Sequence, residues 1–172
     1  MNFCVLKFGG SSLNSAALRS QVAHKIGEKL QSGCHPVVVV SAMGRAGDSY
    51  ATDSFVSLIK DANPDPNPQN TDLLLSCGEI ISAVILAETL NNLGYKARAF
   101  TGWQAGIRTD QNFGSARILS VDPEEIQKAA AAGIIPIVAG FQGWSSSGAV
   151  TTLGRGGSDI TAVALGAALN CE

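Results

Sequence analysis

The stretch Pro36-Val37-Val38-Val39-Val40 decides the fold. Four β-branched residues in a row, with no polar side chain among them, read as a strand. A strand lacking a polar face is covered on both sides, and that environment belongs to a parallel sheet with helices above and below. Just upstream, Leu18, Val22, Ile26 and Leu30 lie four apart on one face of a helix, and Gly33 follows as its cap. Earlier still, Phe3 to Phe8 is a short apolar run stopped by Gly9-Gly10 and reads as a first strand. Strand, helix, strand in this order is the right-handed crossover unit that joins parallel neighbours. The fold class expected is therefore α/β, an open, mainly parallel sheet with helices on both faces.

Downstream, a short helix surrounds Phe55 to Lys60, and a proline-spaced loop, Asn63 to Asn70, is excluded from helix and central strand. From Thr71 to Leu93 the pattern is helical and apolar nearly all round, so this helix is expected to be buried, with Gly94 closing it. Glu79 lies inside it, and a carboxylate on a buried helix needs a partner, a ligand amine or a route to solvent. Lys96 to Phe100 and Arg117 to Val121 read as strands, with Thr101 to Ile107 a loop between them. Asp122 caps a helix that starts at Pro123 and ends at Gly133; Ile134 to Ala139 is a further apolar strand, and Trp144 to Thr152 a hairpin.

Composition narrows the function classes. With 172 residues, 45% of them hydrophobic, the chain holds one ordinary core. Its net charge is −2 and its 12 basic side chains are scattered, which excludes a nucleic-acid or membrane surface as the main partner. The longest apolar stretch, Ile80 to Leu90, is too short for a bilayer, and the N-terminus lacks the pattern of a signal peptide. Cys4, Cys34, Cys77 and Cys171 are far apart and read as buried thiols of a reducing compartment, so a cytoplasmic location is expected. His24 and His35 have no neighbouring metal ligands, and no metal site is expected.

Chemistry concentrates in the turns. Lys7 to Ser12, Lys-Phe-Gly-Gly-Ser-Ser, follows the first strand at the sheet edge where open α/β sheets bind ligands. Its spacing is neither a Walker A loop nor a dinucleotide fingerprint. Ser41 to Gly44 and Gly140 to Gly143 leave two other strands at the same edge. Thr151-Thr152-Leu153-Gly154-Arg155-Gly156-Gly157-Ser158-Asp159 then opens a helix running from Ile160 to Leu169. A helix start favours anions, and Arg155 offers a planar fork for carboxylate or phosphate. A lysine, an arginine, hydroxyls and free N–H groups, with no cysteine or histidine nucleophile, suit phosphoryl transfer to a small anionic substrate.

Six stretches carry a family resemblance: 7 to 12, Val-Val-Val-Ser-Ala-Met-Gly (38 to 44), Leu-Leu-Ser-Cys-Gly-Glu (74 to 79), Thr-Gly-Trp-Gln-Ala-Gly-Ile (101 to 107), Val-Ala-Gly-Phe-Gln-Gly (138 to 143) and 151 to 159. In this order they resemble aspartate kinases of the amino-acid kinase family. The resemblance implies transfer of the ATP γ-phosphoryl to the side-chain carboxylate of L-aspartate, with ATP and Mg²⁺ as cofactors. It implies catalytic roles for Lys7 and Asp159, phosphate binding by Gly9, Gly10 and Ser11, and substrate binding by Ser41, Glu79, Arg155 and Ser158. Residues 1–172 correspond to the amino-terminal, substrate-binding part of the catalytic domain, without the nucleotide-binding half and the regulatory domains. The stretch from Arg45 to Asn70 departs from the family pattern in its proline-rich loop. An uncovered sheet edge is then expected, shielded by a homo-oligomer or a partner chain. The alternative is a non-catalytic binding or scaffold homologue that needs a second chain for ATP.

Overall fold

The computed structural model describes residues 1–44 and 47–171; Arg45 and Ala46, which begin the divergent stretch, and Glu172 lie outside them. In chain order the elements are β1 (Phe3–Phe8), α1 (Ala16–Gln31), β2 (His35–Val40), α2 (Thr52–Ala62), α3 (Pro68–Asn92), β3 (Ala97–Phe100), β4 (Ile107–Thr109), β5 (Ile118–Val121), α4 (Glu124–Ala131), β6 (Ile135–Ala139), β7 (Gln142–Ser145), β8 (Val150–Thr152) and α5 (Gly157–Ala168).

The valine run occupies an interior strand of a wholly parallel sheet ordered β1-β2-β6-β3. Val38 and Val40 face a core shared with α1 and α3, while Val37 and Val39 face a second core shared with α4 and α5. All four valines are fully buried, each contributing about 1.5–3 kcal/mol of apolar transfer. Burial on both faces explains why this strand carries no polar alternation. Because β1, β2, β6 and β3 run the same way, the turns after them open on one edge of the sheet.

A second, mixed sheet ordered β5-β4-β7-β8 lies beyond this expectation. Its strand β4 falls where the sequence reads as the end of a loop. Ile107 and Thr109 are buried and Arg108 is exposed, but three residues are too few for that alternation to register as a strand.

The proline-spaced loop is shorter than expected: Pro68, Gln69 and Asn70 form the first turn of α3. Proline is tolerated there because its missing N–H would have no helical partner, and Asn67 caps the turn by accepting from the Gln69 N–H at 2.9 Å. At 25 residues α3 is, by length and composition, long and apolar enough to cross a membrane, contrary to the shorter span read from the sequence. Ala83, Leu86, Ala87 and Leu90 instead pack it against the parallel sheet, as the core helix of the domain.

The four cysteines are not four separate buried thiols. Cys4 and Cys34 are joined as a disulfide, and Cys77 and Cys171 are free and half-buried. The pairing follows from register: Phe3 lies beside His35, so Cys4 and Cys34 come to diagonal positions at the strand starts.

Candidate functional site

The turn after β8 is shaped by two glycines with positive φ, Gly154 at 76° and Gly156 at 73°, where a side chain would be strained. They reverse the chain so that α5 starts with no side-chain cap, and its first turn faces a cavity of about 440 Å³. Ser41, Ala42, Thr52, Glu79, Phe141 and residues 154–159 line that cavity. Ser41, Glu79, Arg155, Ser158 and Asp159, separated in sequence, are thus brought together as expected.

Arg155 is exposed at the cavity wall, whereas Ser158 is buried. Lys7 does not itself line the cavity. Its Nζ lies 2.9 Å from Asp159 Oδ1, which ties the end of β1 to the first turn of α5. Gly9, Gly10 and Ser11 likewise stand outside the lining residues. Gly10 has a packing reason of its own: a Cβ there would strike the backbone carbonyl of Ala42, so the first and second loops meet without a side chain between them.

Glu79 sits on α3 with 3% of its surface exposed. The Ala42 N–H donates to its Oε1 at 3.0 Å, while Oε2 is buried without a partner among the described residues. Burial pushes its carboxyl up from 4.5 to about 7, and the Ala42 hydrogen bond pulls in the opposite direction. A half-satisfied acid beside a cavity is suited to receive a cationic donor.

Three supports were not anticipated. Asp72, one turn into α3 and fully buried, accepts from the Thr152 N–H at 2.7 Å, the Thr152 hydroxyl at 2.9 Å and the Gly114 N–H at 3.0 Å. Gln142 Nε2 donates to the Ser76 carbonyl at 2.9 Å. Phe141, a non-glycine with φ of 68°, is held by a bond from its N–H to Thr161 Oγ1 and one from the Leu153 N–H to its carbonyl. Strained backbone held on both sides clusters at functional sites. The available signal was the one that singled out Glu79: an acid in a helix apolar all round must be paired, and Asp72 satisfies that condition as well.

The model of the amino acid kinase family matches residues 2–172. The chain belongs to the amino acid kinase family. Within that family it is 48% identical over 172 residues to an aspartokinase of Geobacillus stearothermophilus, covering all of this chain and 41% of that protein. It is 45% identical to aspartokinase 1 of Bacillus subtilis, of which it covers 43%. The chain therefore spans well under half the length of these relatives. Among solved structures, aspartate kinase from Synechocystis superposes with a TM-score of 0.81 at 38% identity, over 99% of this chain and 27% of that one. Aspartokinase III of E. coli, solved in complex with aspartate and ADP, shares the fold with a TM-score of 0.78 at 24% identity.

Proposed function

We propose that this amino acid kinase chain carries the substrate side of an aspartate kinase. The reaction passes the ATP γ-phosphoryl to the side-chain carboxylate of L-aspartate and gives 4-aspartyl phosphate. The single observation that carries the reading is the meeting of Glu79, Arg155, Ser158 and Asp159 around one cavity, with Lys7 joined to it from outside by its ion pair to Asp159.

On this reading Arg155 holds a carboxylate of aspartate through its planar fork, and Glu79 receives the ammonium through its unpartnered oxygen. Ser41 and Ser158 supply hydroxyls to the bound substrate. Lys7 stands where the transferring phosphoryl passes and neutralises its charge, with Asp159 fixing the lysine and the backbone of Gly9, Gly10 and Ser11 turned to the phosphate oxygens. A side-chain oxygen of aspartate forms the new bond to γ-phosphorus, the bond to the β,γ-bridging oxygen breaks, and ADP leaves with that electron pair. The attacking carboxylate is already ionised at neutral pH, so no base has to remove a proton.

Magnesium arrives with the nucleotide on this reading. Among the described residues no three His, Cys, Asp or Glu side chains gather around one point, and Mg²⁺ is commonly held by phosphates together with one or two carboxylates. Asp159 is the carboxylate at hand. On this reading the adenine side of ATP is held by residues other than those that line this cavity. The protein then serves amino-acid biosynthesis toward lysine, threonine and methionine and is oligomeric; its cytoplasmic location rests on that role and not on free thiols, since Cys4 and Cys34 are paired.

A second reading keeps aspartate binding without turnover by this chain alone, favoured by Lys7, Gly9, Gly10 and Ser11 standing outside the residues that line the cavity. A coupled assay for ADP release with aspartate, ATP and Mg²⁺ separates the two, alongside a calorimetric titration with aspartate. ADP release supports the full reaction, and aspartate binding without release supports the second reading. No aspartate binding, or equal binding by Arg155→Ala, refutes both.

A further inference from the structure

Arg155 sits in a turn built for freedom, with glycines on either side and no side-chain cap on the helix that follows. Something must fix its place relative to Glu79. The stretch before Arg155 is anchored by the Leu153 N–H on the Phe141 carbonyl at 2.8 Å, by the Ala116 N–H on the Thr152 carbonyl at 2.8 Å, and by Asp72, whose carboxylate grips Thr152 twice. Asp72 also takes the Gly114 N–H, in the loop against which Gly154 packs. A buried carboxylate is costly unless fully paired, and here both oxygens have donors.

Asp72 and Glu79 are seven residues apart on α3, two turns of helix, and so share a face. The same rigid rod presents one carboxylate to the cavity and grips the root of the glycine turn with the other. We infer that Asp72 is a positioning residue: by holding Thr152, it sets the distance between Arg155 and Glu79 and thereby the fit of the amino-acid substrate. The inference rests on the aspartate reading above, and it adds a residue that touches no substrate.

The experiment is an aspartate titration of wild-type chain, Asp72→Ala, Asp72→Asn, Thr152→Val, Arg155→Ala and the doubles that combine each anchor variant with Arg155→Ala, with circular dichroism and thermal melting as the check on folding. Asp72→Ala is expected to weaken aspartate binding about tenfold, the scale of lost hydrogen bonds to a charged group. Asp72→Asn, whose amide still accepts from the two N–H groups while the Thr152 hydroxyl turns to accept, stays within about threefold of wild type. Once Arg155 is removed, Asp72→Ala adds no further loss, because the effect travels through that side chain. Equal losses in both backgrounds, or an Asp72→Ala affinity within about twofold of wild type, overturn the inference.

Should Asp72→Ala fail to fold, Thr152→Val takes its place, with an expected loss of about threefold that vanishes without Arg155; a loss that persists there overturns the inference. Should wild type bind no aspartate, the proposed function itself falls. Amide shifts then decide the matter. Displacement of residues 154–157 by Thr152→Val supports the anchor, and shifts confined to the immediate neighbours of position 152 refute it.

Discussion

Removing the charge of Glu79 is expected to make the chain more stable at alkaline pH. Its carboxyl ionises at about 7 in the folded chain instead of the ordinary 4.5, because burial opposes the charge. Between those two values the folded chain holds a proton that the unfolded chain has released, so stability falls as pH rises through that window and is fully present only below it. At about 1.36 kcal/mol for each pH unit, the loss reaches about 3 kcal/mol by pH 8.5. Glu79→Gln keeps an oxygen for the Ala42 N–H and does not titrate. At pH 5 the two proteins should differ by no more than about 1 kcal/mol, since wild type is then neutral as well. At pH 8.5 the glutamine protein should be the more stable by about 3 kcal/mol. Urea unfolding of both at the two pH values measures this, and groups common to both cancel in the difference. A difference between the proteins that moves by less than about 1 kcal/mol from pH 5 to 8.5 would refute the reasoning. The same acid makes a second signature available: if the substrate ammonium settles on Glu79, binding at pH 6 expels a proton, visible as a dependence of the binding heat on the ionisation enthalpy of the buffer.

Lys7→Ala removes a partly exposed ion pair, so stability should change by less than about 1 kcal/mol, while ADP release in the complete enzyme should drop at least about a hundredfold; similar losses in both would point to a structural lysine. Gly10→Ala drives a methyl into the Ala42 carbonyl and should cost about 1–3 kcal/mol in denaturant unfolding; a neutral result would show that the two loops are not in contact. Leu86→Ala, fully buried in the core beneath α3, should cost about 2–5 kcal/mol and leave the aspartate affinity of the folded fraction unchanged, which separates packing from binding.

The doubly buried sheet was legible because a run such as Val37 to Val40 has few other homes. The site edge was legible for a related reason: parallel strands must open their turns on one side. Strand β4 was hidden by its length. The hydrogen bonds of Asp72 were hidden because the partners, Gly114 and Thr152, lie far along the chain, and nothing local marks a carboxylate as an acceptor of distant backbone donors. Cys4 and Cys34 escaped for the same reason, since only the register of β1 on β2 makes them neighbours. The place of Lys7 near the end of the first strand was legible, but its ion pair with Asp159 depends on the turn of α5, whose φ angles no residue pattern specifies beyond the presence of glycine.

The strand order β1-β2-β6-β3 also has a temporal meaning. Val38 pairs with Ile137, so the middle of the sheet closes a very long loop, and such closures are slow and come late. During synthesis β2 emerges well before its neighbour, and the valines destined for the interior wait uncovered in a nascent chain. The vulnerable moment for this protein is therefore the interval before β6 clears the ribosome, when chaperone capture or sticking to other chains competes with completion of the sheet.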